Sequence, residues 1–332
     1  MIFVSGSLAY DIILDYPGRF ADHINPEKVH ALSLSFLVRG VKKSTGGTAG
    51  NIAYNLGMLK LPVEILAAIG NDSKEILPKF TQLRIKRKYL KISKHPTAVA
   101  YIFTDRDDNQ ITGFYPGAMM EAVKLPKVTS GDWAIIAAEN PRNMARLAKH
   151  YQRHNLKYIF DPGQAITAMA NRDLRMAIRG ATILIGNDYE IEYIFQKLNS
   201  PLPSPPHPSS SAGRQGEGTK TEFLPLGGGG KVGGIIIRTL GHHGSEIIYP
   251  NGKKTRIGIA QVKTAVDPTG AGDAYRAGLI CGIVRGFDLK TSAQLGATAA
   301  SFAVEKYGTQ NHEFSYGIIV KRHNRNFKEK IQ

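Results

Sequence analysis

Cysteine is almost absent from this sequence: Cys281 is the only one, so no disulfide can close within the chain and no thiolate zinc site can be assembled. That scarcity favours a reducing compartment, and the cytoplasm is the expected location. Long apolar runs are missing too. No uninterrupted stretch approaches the ~20 residues that span a bilayer, so no membrane partner is expected. The opening MIFVSGSLAYDIIL has no basic leader and carries Asp11 inside its apolar run, so it reads as a first strand rather than a signal peptide. Acidic residues are in deficit, with 27 Asp and Glu against 43 Lys and Arg and a formal net charge of +16. An excess of that size raises nucleic acid as a partner. Much of it, however, lies in two clusters, Arg84 to Lys94 and Lys321 to Lys330, which read as solvated faces. No zinc-finger spacing or RNA-recognition aromatic signature accompanies them, and a phosphorylated small molecule explains part of the bias equally well. A non-catalytic, RNA-associated protein is the reading those clusters would support.

What is present describes a globular enzyme-sized chain. The 332 residues, 42% of them apolar, suit a single domain over 1–332 with a small appendage. Apolar runs of strand length recur at Ile2 to Val4, Val63 to Ile69, Trp133 to Ala138, Tyr158 to Phe160, Ala181 to Ile185 and Gly234 to Ile237, with helical segments between them. Such alternation predicts an α/β fold, a doubly wound and mostly parallel sheet with helices on both faces. Ligands then bind beyond the carboxyl ends of the strands. Two regions, about 12–45 and about 98–117, carry shorter strand-like runs without a helix between them and predict a small β-rich lid. From about 199 to 233 the chain is rich in Pro, Ser and Gly and reads as a disordered insertion. Its GGGGK is no Walker loop, because Pro225 and Val232 occupy the positions of the first Gly and the hydroxyl residue.

Four strings carry chemistry. In DPTGAGD, from Asp267, Pro268 and Thr269 make a stiff turn and the apolar pattern from Ala274 starts a helix, so the N–H groups of Gly270, Ala271 and Gly272 are expected unpaired at a helix N-terminus, a site for an anion such as a transferring phosphoryl group. Asp273 then lies in the first turn, where its carboxylate would take a proton from an attacking hydroxyl; the plainer reading is a charge that complements the helix dipole. The GxG there lacks the further Gly of a dinucleotide fingerprint, since Tyr275 stands in its place. In GGTAGNIAYNLG, Gly46 and Gly47 let backbone approach a ligand and Asn51 offers a donor and an acceptor for a vicinal diol, or else caps locally. In NDYE, Asn187 and Glu190 share a helix face and would orient water around Mg²⁺. In TLGHHG, Thr239, Gly241 and Gly244 would border a nucleotide, while His242 and His243 read as exposed turn residues.

Taken in order and spacing, these strings resemble the ribokinase-like (PfkB) family over nearly the whole chain outside the insertion. FTDRDDNQITGFYPGA from Phe103, DPGQ from Asp161 and the ending GATAASFAVEKYGTQ look most like its nucleoside kinase and adenosine kinase branch. The resemblance implies ATP as phosphoryl donor with Mg²⁺, and the 5′-hydroxyl of a ribonucleoside, adenosine favoured, as acceptor; a sugar kinase acting on ribose or fructose is the alternative. It implies Asp273 as catalytic base with Gly270, Ala271 and Gly272 as its anion hole. Asp11, Gly46, Gly47 and Asn51 would hold ribose. Asn187 and Glu190 would govern Mg²⁺ and phosphate, and Thr239, Gly241 and Gly244 would form the ATP-side turn. Asp267 and Thr269 lie where some members bind a monovalent cation, usually K⁺. Phe103, Gln110 and Phe114 in the lid, and Gln164 of the DPGQ string, are further substrate-side candidates. A homodimer is left open as the assembly.

Overall fold

The computed structural model describes residues 1–24, 33–107, 109–199 and 234–332. The Pro/Ser/Gly stretch expected as an insertion therefore lies outside the described residues, apart from its first position. The chain runs β1 (Ile2–Ser5), β2 (Ala9–Asp15), β3 (Gly40–Gly46), α1 (Thr48–Met58), β4 (Val63–Leu66), β5 (Ala68–Gly70), α2 (Ile76–Gln82), β6 (Lys91–Ser93), β7 (Ala98–Thr104) and β8 (Gln110–Tyr115). It continues through β9 (Trp133–Ile136), α3 (Pro141–Arg153), β10 (Lys157–Phe160), α4 (Asn171–Gly180), β11 (Ile183–Asn187), α5 (Asp188–Asn199), β12 (Ile235–Thr239), β13 (Ser245–Ile248) and β14 (Lys254–Ile257), and closes with α6 (Ala271–Val284), α7 (Leu289–Ala303) and α8 (Tyr316–Asn326).

Eight strands form one sheet in the order β14-β13-β12-β11-β10-β9-β1-β4, parallel from β12 to β4. Its strands are unbroken apolar runs because both faces are covered. Alternate residues point to opposite sides: Val4, Ile135, Ile159 and Ile185 meet α1, α2, α6 and α7, while Phe3, Ile136, Phe160 and Leu184 meet α3, α4 and α5. This is the doubly wound arrangement that the alternation predicts. Helix α6 is seated closely on α7, since a Cβ at Gly278 would lie 2.6 Å from Leu295 O and one at Gly282 2.6 Å from Ser292 Cα. The start of α6 is thereby fixed over the carboxyl end of the sheet.

Strands β3-β2-β7-β8 make a separate sheet, built from the two helix-free segments. Two features differ from the reading of the sequence. The run Val63 to Ile69 is two strands: β4 is the edge of the main sheet, and past Ala67 the chain leaves that edge so that β5 pairs with β6. At the opposite edge β13 and β14 add an antiparallel hairpin, a short polar-apolar pair that the search for long apolar runs passes over. Among the described residues, no helix is long and apolar enough to cross a membrane.

Candidate active site

The carboxyl ends of β12, β11, β10, β9 and β1 lie side by side, and α6 approaches them where Arg276 meets Asp161, the residue after β10. Gly270 caps that helix in the left-handed region (φ +79°), a conformation that glycine adopts without the Cβ penalty. Helix α6 begins at Ala271, earlier than the apolar pattern from Ala274 suggests. Among the described residues the N–H groups of Gly270, Gly272 and Asp273 have no protein acceptor, whereas that of Ala271 closes the turn on Pro268 O at 3.1 Å. The expected cradle of 270, 271 and 272 is thus shifted: Ala271 contributes no free donor. Asp267 braces the turn, its two oxygens accepting from the N–H groups of Thr269 and Gly308, each at 2.9 Å. Thr269 is exposed.

Asp273 emerges from this turn toward α1, where Asn51 Nδ2 donates to its Oδ2 at 2.8 Å. The two residues are 222 positions apart, and the packing of α1 on α6 joins them. Burial pushes the Asp273 carboxyl up to about 7; Arg276 and the Asn51 hydrogen bond oppose the rise, and Asp161 and Asp11 add to it. Asn51 is buried, and its Oδ1 accepts from Gln310 Nε2 at 2.9 Å, so only one of its N–H groups is left for a ligand hydroxyl. Gly47 caps α1 at φ +85°, with the Ala49 N–H on Ser7 O at 3.1 Å. Gly46 sits directly against Asp11, where any Cβ would overlap Asp11 Oδ2. Burial, with the nearby Asp267 charge, raises the Asp11 carboxyl to about 6.

Two residues that the sequence reading leaves without a role complete the floor. Asp161 follows β10, and Arg276, one turn beyond Asp273 on α6, donates from Nη2 to Asp161 Oδ1 at 2.7 Å, with its Nε against Oδ2. Both are buried, Asp161 at 3% and Arg276 at 7% exposure. Burial alone would lower the Arg276 pKa, but Asp161, Asp273 and Glu190 hold it above the ordinary value. A Cβ at Gly272 would lie 2.8 Å from Arg276 Nη1, so this glycine keeps the cation close beneath the turn.

Asn187 and Glu190 form a reciprocal capping box at the start of α5: Asn187 Oδ1 accepts from the Glu190 N–H and Glu190 Oε2 from the Asn187 N–H, each at 2.8 Å. Glu190 keeps one oxygen free, and its carboxyl is raised by burial. Thr239 pairs in register with Asn187 on the neighbouring strand, and Gly241 and Gly244 follow in left-handed conformations. The remaining candidates are more scattered. Phe114 shares the Asp11 face of the small sheet, each paired to Ala100. Gln110 is on that face too, at its outer end, paired to Thr104. Phe103 pairs with Leu14 and Ile111 on the opposite face and packs near Phe36, ring centroids 6.3 Å apart. Gln164 is exposed in the short helical turn Gly163–Thr167. Two surface hollows, one around His95 and Met120 and one around Arg179 and Tyr249, include none of the Asp273 neighbours.

Comparison with known proteins decides the relationship. Residues 2–314 match the model of the "pfkB family carbohydrate kinase". The chain belongs to that family. As a pfkB member it is a phosphotransferase acting on a hydroxyl group. It is 31% identical over 303 residues to a nucleoside kinase of Methanocaldococcus jannaschii, a match covering 90% of this chain and 91% of that protein. Among solved structures it resembles the Burkholderia thailandensis nucleoside kinase in complex with inosine, with a TM-score of 0.80, 29% identity and 99% of each chain covered. The same kinase with ADP and inosine gives a TM-score of 0.79 and 30% identity over 100% of this chain and 98% of that one.

Proposed function

We propose that this pfkB kinase transfers the γ-phosphoryl group of ATP to the 5′-hydroxyl of a ribonucleoside, with Asp273 as general base. The observation that carries this reading is a carboxyl group whose pKa burial raises to about 7, held by Asn51, in the first turn of a helix beside the N–H groups of Gly270 and Gly272, which have no protein acceptor among the described residues. A base near pH 7 is matched to accepting an alcohol proton, and the amides of Gly270 and Gly272 lie where negative charge grows on the transferring group. The nucleoside kinase relatives, one bound to inosine and ADP, support the acceptor class and the donor. Adenosine and inosine are the acceptors to compare first.

Asp11 and Gly46, with the free N–H of Asn51, suit the ribose hydroxyls, and the Thr239–Gly244 turn suits ATP. When bound with the nucleotide, Mg²⁺ neutralises phosphate charge. The single free oxygen of Glu190 and the exposed Asn187 fit water-mediated contact with it, and among the described residues no group of three or more His, Cys, Asp or Glu forms a metal cage. K⁺ at Asp267 fits less well, because both carboxylate oxygens already serve the turn. Need for ATP and a buried, lone Cys281 favour the cytoplasm. A homodimer through the small sheet is favoured by Val41, Tyr101 and Ile111, exposed on the face away from Asp11; sedimentation giving only monomer would reject it.

The test is a screen of initial ADP formation with adenosine, inosine, cytidine, ribose and fructose 6-phosphate, the product identified by mass and ³¹P NMR. A nucleoside 5′-monophosphate as the best product is expected; a sugar phosphate would replace the acceptor, and no ATP turnover with any of them would remove the reading. At the ribose side, Gly46→Ala is expected to turn the Asp11 carboxylate aside and raise the nucleoside KM about tenfold with a smaller effect on kcat, the loss of one charge-assisted hydrogen bond. An unchanged KM would take Asp11 and Gly46 out of the acceptor site.

A further inference from the structure

An unbroken line of side-chain hydrogen bonds runs from α2 to the Asp273 carboxylate. Lys79 Nζ donates to Thr45 Oγ1 at 2.8 Å, Thr45 Oγ1 to Gln310 Oε1 at 2.8 Å, Gln310 Nε2 to Asn51 Oδ1 at 2.9 Å, and Asn51 Nδ2 to Asp273 Oδ2 at 2.8 Å. Thr45, Asn51 and Gln310 are all buried, and Thr309 Oγ1 donates to Thr45 O at 3.0 Å, clamping the segment after α7 onto β3. The direction of the line is set by its ends. An ammonium group can only donate, so the Thr45 hydroxyl hydrogen must point onward to the Gln310 oxygen; the Gln310 nitrogen then faces Asn51, and the Asn51 nitrogen faces a carboxylate that accepts. Hydrogen bonds aligned in this way polarise one another.

We infer that Lys79, Thr45 and Gln310 are positioning residues for phosphoryl transfer: through Asn51 they hold Asp273 Oδ2 and so present Oδ1 to the acceptor hydroxyl. The inference rests on the reading of Asp273 as the base. It gives a reason for two buried polar residues, Thr45 and Gln310, that would otherwise be costly to bury, and for the half-buried Lys79 beside them. The groups facing Asp273 are Asn51 from α1, Arg276 from α6 itself, Asp161 from the end of β10 and Asp11 from β2; Glu75, just before α2, faces Lys79. Only neutral links separate Lys79 from Asp273. Removing the Thr45 hydroxyl therefore breaks the line without changing any charge.

The test compares Thr45→Val with Thr45→Ser in the full chain, using ATP and the nucleoside with the highest rate in the substrate screen. Valine keeps the shape and strand preference of threonine and is expected to lower kcat about 10- to 100-fold, as misplacement of a reacting group does, with both KM values within about threefold. Its acid limb of kcat/KM moves to higher pH, since a less polarised Asn51 stabilises the carboxylate charge less. Thr45→Ser recovers most of the loss. In an Asp273→Asn background Thr45→Val costs nothing further beyond about twofold, because the group it positions is gone. If Thr45→Val does not fold, Gln310→Met is read in the same way. Valine and serine variants alike within about twofold of the parent, with an unmoved limb and an inactive Asp273→Asn, would overturn the positioning role alone; an active Asp273→Asn would remove the base itself.

Discussion

Asp273→Asn is expected to lower kcat by about 10³- to 10⁴-fold, the full contribution of a positioned base, while nucleotide still binds. The same change should make the protein more stable. The folded carboxyl titrates near 7, above its unfolded value of 3.8, so the folded chain binds this proton more tightly. The stability that the group contributes is present below pH 3.8 and is lost as pH rises through 7. At pH 8 the neutral amide escapes that loss, and a rise in Tm of about 2–4 °C is expected. A carboxylate that only complemented the helix dipole would behave in the opposite way, its removal costing stability and sparing turnover. Steady-state kinetics and thermal melts on one preparation separate the two. The parent enzyme should lose activity as pH falls below about 7, because the base takes up its proton, and the variant should lack that limb.

Arg276→Met carries the second large effect. The guanidinium is the partner of a carboxylate that is 3% exposed, so its loss leaves Asp161 charged, buried and alone. Breaking such a pair from one side costs about 3–5 kcal/mol, read as a shift of the urea midpoint at unchanged slope. The double variant Arg276→Met with Asp161→Asn should recover much of that stability, since no orphan charge remains. It should not recover the pH profile: with the cation gone, Asp273 holds its proton more tightly and the acid limb moves upward. A loss below about 1 kcal/mol for the single variant would mean that the pair is solvated and unimportant to the floor of the site.

The parts of this protein that could be read from sequence are those that local chemistry dictates. Gly270 and Gly272 before Asp273 write their own turn and helix start, and the Val- and Ile-rich runs announce strands covered on both faces. The reading is incomplete where a partner lies far along the chain. The sequence shows Asn51 as a donor and an acceptor for a diol, but not that one N–H and the Oδ1 are engaged by Asp273 and Gln310, 222 and 259 residues away, which leaves one N–H for a ligand. Arg276 passed unnoticed because an arginine on a helix is ordinarily solvated; only the juxtaposition of α6 with the end of β10 makes it a buried cation. Ala271 was counted as a donor although the Pro268 carbonyl takes its N–H, a detail of turn geometry rather than composition. The NDYE string also forms a capping box that secures the start of α5, a use of its spacing that the sequence reading did not include.

The most direct test is a crystal structure with inosine and a non-hydrolysable ATP analogue bound together. The account predicts the 5′-oxygen within about 2.6–3.2 Å of Asp273 Oδ1 and the terminal phosphate facing the N–H groups of Gly270 and Gly272. A 5′-oxygen held by another side chain, with Asp273 turned away from both ligands, would contradict it.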